Sequence, residues 1–116
     1  MKIVIAQMPV AQGNPEKNFQ TISSIVEKAK SEAASLVVFP ELCLSGTIVG
    51  DAFFRKSFVD ECLEKGNAIA SLASGIDILF GNIAKENNEL YNAAYYASQG
   101  CFLKLSKQAG KELSFL

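Results

Sequence analysis

The sequence predicts an α/β fold that opens with a β–α–β unit. Two short runs rich in β-branched residues, Lys2–Gln7 and Leu36–Phe39, have the composition of strands. We expect the first of them to be central in its sheet. Between them, apolar residues recur every three or four positions, which is typical of an amphipathic helix. Because such a unit is parallel and right-handed, the two strands are predicted to be parallel neighbours.

The first helix is predicted over Pro15–Ala34. Asn14 suits the N-cap, Pro15 suits the first helical position, and Glu16 suits the positive end of the helix dipole. One apolar stripe is expected to pack on the sheet, formed by Phe19, Ile22, Val26, Ala29 and Ala33.

A second helix is predicted from a Ser57 cap to about Leu72, with Gly66 as its weak point. Its expected inner face consists of Phe58, Cys62, Ile69 and Leu72. Asp51 is a further candidate cap for this region.

Three more strands are predicted after the second helix, at Ile78–Ile83, Leu90–Ser98 and Cys101–Leu105. The polar segment Glu86–Glu89, with Asn87 and Asn88 at its centre, indicates a hairpin turn. The last two strands are expected to form an antiparallel hairpin, with Tyr91 and Tyr95 on one face because side chains alternate along a strand.

Composition limits the classes of function. The chain has 116 residues, 49% of them hydrophobic, and a net charge of −1, which gives no reason to expect a nucleic acid or an anionic membrane as partner. No apolar run is long enough to span a bilayer, and the N-terminus has a strand pattern rather than that of a signal peptide, so a cytoplasmic location is expected. There is no histidine, which excludes Ser–His or Cys–His catalysis within this chain. No cofactor or metal is predicted.

The segment Leu36–Gly46 carries the candidate chemistry. Pro40 cannot donate to a β-ladder, so the buried strand should stop there, and Glu41 follows at once. The carboxyl ends of strands are where open α/β sheets place their sites. Burial among Leu42, Cys43 and Leu44 would disfavour the charged form of Glu41, which would make it a better base near neutral pH. The alternative is a solvated glutamate in a turn.

At these residues the sequence resembles a known family. The N-terminal KIVIAQ, the VVFPELCLSG segment and the later LYNAAYY resemble the nitrilase superfamily of carbon–nitrogen hydrolases. Within it, the glutaminase domain of glutamine-dependent NAD synthetases is the most similar branch. The features that favour it are the LYNAA strand and the residues that follow the FPEL motif, namely Gly46, Asp51, Phe53, Phe54, Arg55 and Phe58. The resemblance covers about residues 2–107 and implies the N-terminal half of a four-layer α-β-β-α sandwich. It divides the chain into a partial domain, 1–107, and a divergent tail, 108–116.

The resemblance also implies a Glu–Lys–Cys triad. Glu41 matches the family's general base. The family's lysine matches Lys107 after a shift of one residue, with Lys104 as the alternative. A non-catalytic interpretation is a solvated helix face, because Lys104, Lys107 and Lys111 are spaced by three and four residues. Lys107 is expected just past the end of the last hairpin, with its ammonium able to approach Glu41. In the family, the nucleophilic cysteine follows the lysine by tens of residues, which would place it after Leu116. The 116 residues are therefore expected to be inactive alone.

Two departures from the family pattern affect the predicted function. Thr47-Ile48-Val49 stands where the NAD-synthetase branch has a tyrosine- and proline-rich segment, and the tail AGKELSFL does not follow the pattern.

The first interpretation of the function is that the chain is part of a glutaminase domain that supplies ammonia to NAD synthesis. The alternatives are a fragment of a free-standing ω-amidase or nitrilase, or a non-catalytic half-domain that pairs with another copy or a partner.

The three cysteines are expected to be reduced and structural. Cys43, Cys62 and Cys101 are odd in number and lack metal-like spacing. Cys43 lies two residues after Glu41, so it could share the face of the glutamate, but it is more typical of a small buried apolar residue. Cys62 lies on the predicted stripe of the second helix, and Cys101 lies beside a turn.

Overall fold

The computed structural model describes residues 1–107, with side chains through residue 103. Within these residues, one mixed sheet contains five strands in chain order, accompanied by two helices and a short 3-10 turn at Ala52–Phe54. The helices are α1 (Pro15–Ser31) and α2 (Lys56–Ser71). The strands are β1 (Ile3–Ile5), β2 (Leu36–Val38), β3 (Asp77–Glu86), β4 (Glu89–Ser98) and β5 (Cys101–Lys107).

The first three strands are parallel. β1 pairs with β2, and β2 pairs with β3, which confirms the predicted parallel neighbours. The predicted central position of β1 is wrong, because β1 is at the edge of the sheet formed by the described strands. Its apolar run indicates burial on both faces, but the described chain supplies a layer on one face only. Ile3 and Ile5 are therefore 51% and 72% exposed.

Helix α1 begins as predicted and ends three residues early. The Asn14 side chain accepts a hydrogen bond from the backbone N–H of Lys17. Ile22, Val26 and Ala29 are buried, and Phe19 packs against the same core while partly exposed. Ala33 is exposed, contrary to prediction, because it adopts a left-handed conformation (φ +58°) that ends the helix and turns the stripe away from the sheet.

Helix α2 lacks the predicted caps. Ser57 lies inside the helix, and Arg55 occupies the N-cap position without a side-chain hydrogen bond. Asp51 precedes the 3-10 turn, also without a capping hydrogen bond from its side chain. The inner face is confirmed, since Phe58, Cys62 and Ile69 are buried and Leu72 is partly buried.

Two hairpins link β3, β4 and β5. Asn87 and Asn88 both have positive φ, which is the geometry expected for a tight two-residue hairpin turn. The antiparallel pairing of β4 and β5 is confirmed, and Tyr91 and Tyr95 contact one core. Strand β5 extends two residues further than predicted, so Lys107 is its last residue rather than one just past it. Residues 108–116, the predicted tail, lie outside the described residues.

Both helices lie on one face of the sheet. A continuous core joins α1 and α2 to the inner residues of β2, β3 and β4, with Ile22, Val37, Ile69, Ile78 and Phe80 almost fully buried. The opposite face, called here the open face, carries Ile3 and Ile5 and is not covered by another layer of the described chain. Neither of the described helices has the length and apolar character needed to cross a membrane.

Candidate functional site

Glu41 lies in the turn that follows β2. The backbone N–H of Phe39 still donates to the Leu79 carbonyl at 2.8 Å, and the strand ladder stops at Pro40. β2 is flanked by β1 and β3, so the predicted position of Glu41 after an inner strand is confirmed. Its predicted burial is wrong: Glu41 is exposed, because the described chain has no layer over this part of the open face.

Gly81 of β3 anchors the turn that carries Glu41. Its N–H donates to the Pro40 carbonyl at 3.3 Å, and its carbonyl accepts from the N–H of Cys43 at 3.0 Å. A Cβ at Gly81 would lie 2.6 Å from the Leu42 nitrogen and 2.7 Å from the Cα of Glu41. Only glycine allows this approach, so β3 fixes the backbone of the candidate base. Sequence reasoning missed Gly81, although a glycine inside a strand pattern is a signal of close backbone approach.

Two buried residues also hold the turn in place. Leu42 is fully buried and has a left-handed backbone (φ +46°), a conformation that is strained for a leucine and persists because its side chain packs in a second core cluster. Asn18 of α1, also buried, donates from its amide to the carbonyls of Leu44 and Ala11 at 2.8 Å each. Sequence reasoning missed Asn18. The pattern that could have indicated it is a polar residue on an apolar helix face.

Asn92 of β4 binds the carboxylate. Its Nδ2 donates a hydrogen bond to Oε1 of Glu41. Asn92 is only 7% exposed and lies opposite Ile83 in the β3–β4 register, two residues from the pair formed by Gly81 and Ala94. The LYNAA motif was noted in the sequence, but Asn92 was not singled out, because the contact joins residues 51 positions apart.

Glu41 and Asn92 border an open cavity of about 320 Å³. Its apolar wall comes from the end of β2, the residue after it, β3 and β4, with Val38, Phe39, Leu79, Phe80, Gly81, Ala93 and Ala94. A carboxylate on an apolar cavity, with one oxygen held by an amide, can accept a proton from a group brought to the other oxygen.

The cysteine nearest to Glu41 in sequence is not available to it. Cys43 is fully buried, and its thiol donates to the Gly81 carbonyl at 3.2 Å. Burial raises the pKa of Cys43 to about 12, so a reactive thiolate is disfavoured at neutral pH. Cys62 lies on the buried face of α2, and burial raises its pKa to about 12 as well. Cys101 is free and exposed at the start of β5.

We expect this chain alone to release no ammonia from glutamine or simple amides above background. A thiolate must face the base for the covalent step, and Cys43 is buried with its thiol bound to Gly81. The measurement is ammonia release by the purified 116 residues and by a Cys43→Ala variant. Release that disappears in the variant would contradict the prediction and identify Cys43 as a nucleophile.

The two candidate lysines are both in β5. The backbone of Lys107 pairs with Ala93, the residue after Asn92, whereas Lys104 pairs with Tyr96. The structure describes side chains through residue 103, so those of Lys104 and Lys107 lie outside its description. The approach of the Lys107 ammonium to Glu41 therefore stays a prediction.

A second polar pair lies further along the sheet. The Tyr96 hydroxyl donates to Oδ2 of Asp77 at 2.7 Å. Hydrogen bonds from Ser98 and Tyr96 lower the pKa of Asp77 below its ordinary 3.8, and the bond to Asp77 raises the pKa of Tyr96 above its ordinary 10.0. The pair therefore stabilises the fold at pH values above the folded-state pKa of Asp77 and below that of Tyr96. Its contribution is lost as pH falls through the folded-state pKa of Asp77 or rises through that of Tyr96.

Asp77→Asn is expected to lower the pKa of Tyr96 towards 10, because the main cause of its rise is removed. The measurement is tyrosinate absorbance during an alkaline titration, with Tyr96→Phe to assign the transition. Tyr95 is the internal control, since burial rather than Asp77 raises its pKa. An unchanged Tyr96 transition in Asp77→Asn would show that the two side chains do not interact in solution.

The fold is the nitrilase fold, as two superpositions show. A glutamine-dependent NAD(+) synthetase from Cytophaga hutchinsonii superposes with a TM-score of 0.85 at 23% identity, over 91% of this chain and 18% of that one. An amidase from Nesterenkonia sp. superposes with a TM-score of 0.78 at 19% identity, over 93% and 42% of the two chains.

The chain belongs to the carbon–nitrogen hydrolase family, whose model matches residues 2–111. A glutamine-dependent NAD(+) synthetase from Xylella fastidiosa is 31% identical over 101 residues, which are 86% of this chain. The chain spans about 18% of the length of that relative. The predicted family and fold are confirmed, including the resemblance to the N-terminal part of NAD synthetases.

Proposed function

We propose that the chain is the N-terminal part of a glutaminase-type domain that hydrolyses an amide and supplies ammonia for NAD synthesis, with Glu41 as the general base. The observation that carries this proposal is the hydrogen-bonded Glu41 carboxylate on an open apolar cavity at the end of β2. The similarity to glutamine-dependent NAD(+) synthetases supports glutamine as the substrate. The cytoplasmic location expected from the sequence stays a prediction.

The proposed reaction uses a cysteine thiol that a segment outside these residues must supply. Glu41 takes the thiol proton, the sulfur attacks the amide carbon, and Glu41 returns the proton to the leaving nitrogen as ammonia departs. Water then gives a proton to Glu41 and attacks the thioester. The carboxylic acid forms, and the thiol is restored by the proton from Glu41. The net reaction is an amide and water giving an acid and ammonia.

A lysine completes the proposed site by stabilising the oxyanion. Lys107 is the preferred candidate, since its backbone lies beside Ala93 and close along β4 to Asn92. Lys104, which pairs with Tyr96, is the alternative. Lys107→Met and Lys104→Met in the hydrolytic protein would distinguish them, because only one should abolish ammonia release.

The first test is the nucleotide sequence downstream of Leu116. The proposal expects a reading frame that supplies the nucleophilic cysteine and a synthetase domain. The product of that frame should release ammonia from glutamine, and Glu41→Gln should lower kcat by about 10²–10⁴-fold, the usual contribution of a general base. Glu27→Gln, an exposed change on α1, is the matched control and should leave the rate unchanged. Full activity in Glu41→Gln would contradict the role of Glu41.

Two observations favour other candidates. The fold match to the Nesterenkonia amidase favours a fragment of a free-standing amidase, and a downstream frame without a synthetase domain would support it. The exposed Ile3 and Ile5 on the open face favour a non-catalytic half-domain that pairs with a second copy. Size-exclusion chromatography of the 116 residues tests this pairing: a dimer that Ile5→Glu dissociates would support it, and a monomer would exclude it.

A further inference from the structure

We propose that Asn92 is a positioning residue that fixes which oxygen of Glu41 acts as the base. The inference rests on the proposed role of Glu41. Asn92 donates to Oε1, and the described side chains give Oε2 no hydrogen-bond partner. Oε2 is therefore the oxygen free to take a proton from a nucleophile.

Two neighbouring strands hold Glu41, one at the backbone of its turn and the other at its side chain. Gly81 of β3 binds the turn backbone through Pro40 and Cys43, and its contact with the Cα of Glu41 leaves no room for a side chain. Asn92, on the adjacent strand β4, holds the side chain. With both the backbone and Oε1 fixed, the remaining freedom of the Glu41 side chain is small. A general base held in this way needs no reorientation before proton transfer.

The chemistry of Asn92 suits this role better than a purely structural one. A nearly buried amide needs a partner, and a backbone carbonyl would satisfy the Nδ2 donor equally well. Asn18 and Asn82 both use their Nδ2 groups in that way, on the carbonyls of Leu44 and Cys62. Asn92 instead donates to Glu41, which is the one carboxylate among the described residues that line the cavity.

The contact is tested by NMR on the 116-residue chain, through the side-chain amide resonances of Asn92. Glu41→Ala should move them towards those of the exposed Asn87 and Asn88, whereas Glu41→Gln should retain most of their displacement because its amide oxygen can still accept. Glu27→Ala is the control and should leave them in place. Asn92 resonances that do not respond to Glu41→Ala would overturn the inference without bearing on amide hydrolysis.

The positioning role is tested in the hydrolytic protein proposed above. Asn92→Ala should lower kcat by about 10²-fold with KM unchanged, because misplacing a reacting group by about 1 Å costs this much. Asn92→Gln should not restore the rate, since its longer side chain moves the donor. A merely structural role would lower the fraction of folded enzyme while the kcat per folded molecule stayed at the wild-type value, and that result would overturn the proposal. A wild-type protein that does not hydrolyse amides would instead contradict the proposed function. The NMR experiment would still test the contact between Asn92 and Glu41.

Discussion

Ile22→Ala is expected to lower the free energy of unfolding by about 2–5 kcal/mol, the range for truncating a fully buried aliphatic side chain. Ile22 is 0% exposed and lies where α1 packs on the sheet, in one core with Val26, Val37 and Ile78. The substitution removes buried apolar surface and leaves a cavity, and it does not disturb helix formation because alanine is the best helix former. Urea denaturation followed by circular dichroism measures the change.

The control for this prediction is Ile48→Ala, the same substitution at a side chain that is 75% exposed. It should change the free energy of unfolding by less than about 0.5 kcal/mol, as is usual at the surface. A similarly small loss for Ile22→Ala would mean that α1 does not pack on the sheet as described.

Gly81→Ala is expected to cost about 3 kcal/mol of stability. Its Cβ would lie 2.6 Å from the backbone nitrogen of Leu42, and backbone cannot move aside as a flexible side chain can. Overpacking typically costs about 1–3 kcal/mol, and each weakened hydrogen bond to Pro40 or Cys43 adds about 1 kcal/mol. Because the displaced segment is the turn that carries Glu41, the Asn92 side-chain resonances should shift as well.

Gly75→Ala is the comparison for Gly81→Ala. A Cβ at Gly75 meets nothing within 4 Å, so its cost is the backbone strain at φ +76°, about 1–2 kcal/mol. It lies before β3 and should leave the Asn92 resonances in place. If Gly81→Ala were as stable as the wild type and left these resonances unmoved, the close approach of the turn to β3 would be contradicted.

Local pattern predicted the elements of this fold well. The apolar stripe from Phe19 to Ala29 predicted the buried face of α1, and the pair Asn87 and Asn88 predicted the β3–β4 turn, because each signal acts over a few residues. The end of α1 was predicted less well. Ala33 continues the apolar period, yet a left-handed backbone at that residue ends the helix, and alanine gives no signal of this conformation.

Short patterns and one motif were enough to predict the α/β class, the parallel β1–β2 pair, the family and the position of Glu41 after β2. The surroundings of Glu41 were decided by the tertiary structure alone. Gly81 lies about 40 residues away along the chain and Asn92 is 51 residues away, and only the pairing of β3 with β2 and β4 brings them to the glutamate. The exposure of Glu41 is decided in the same way, since apolar neighbours in sequence bury a carboxylate only where another layer of the fold covers it.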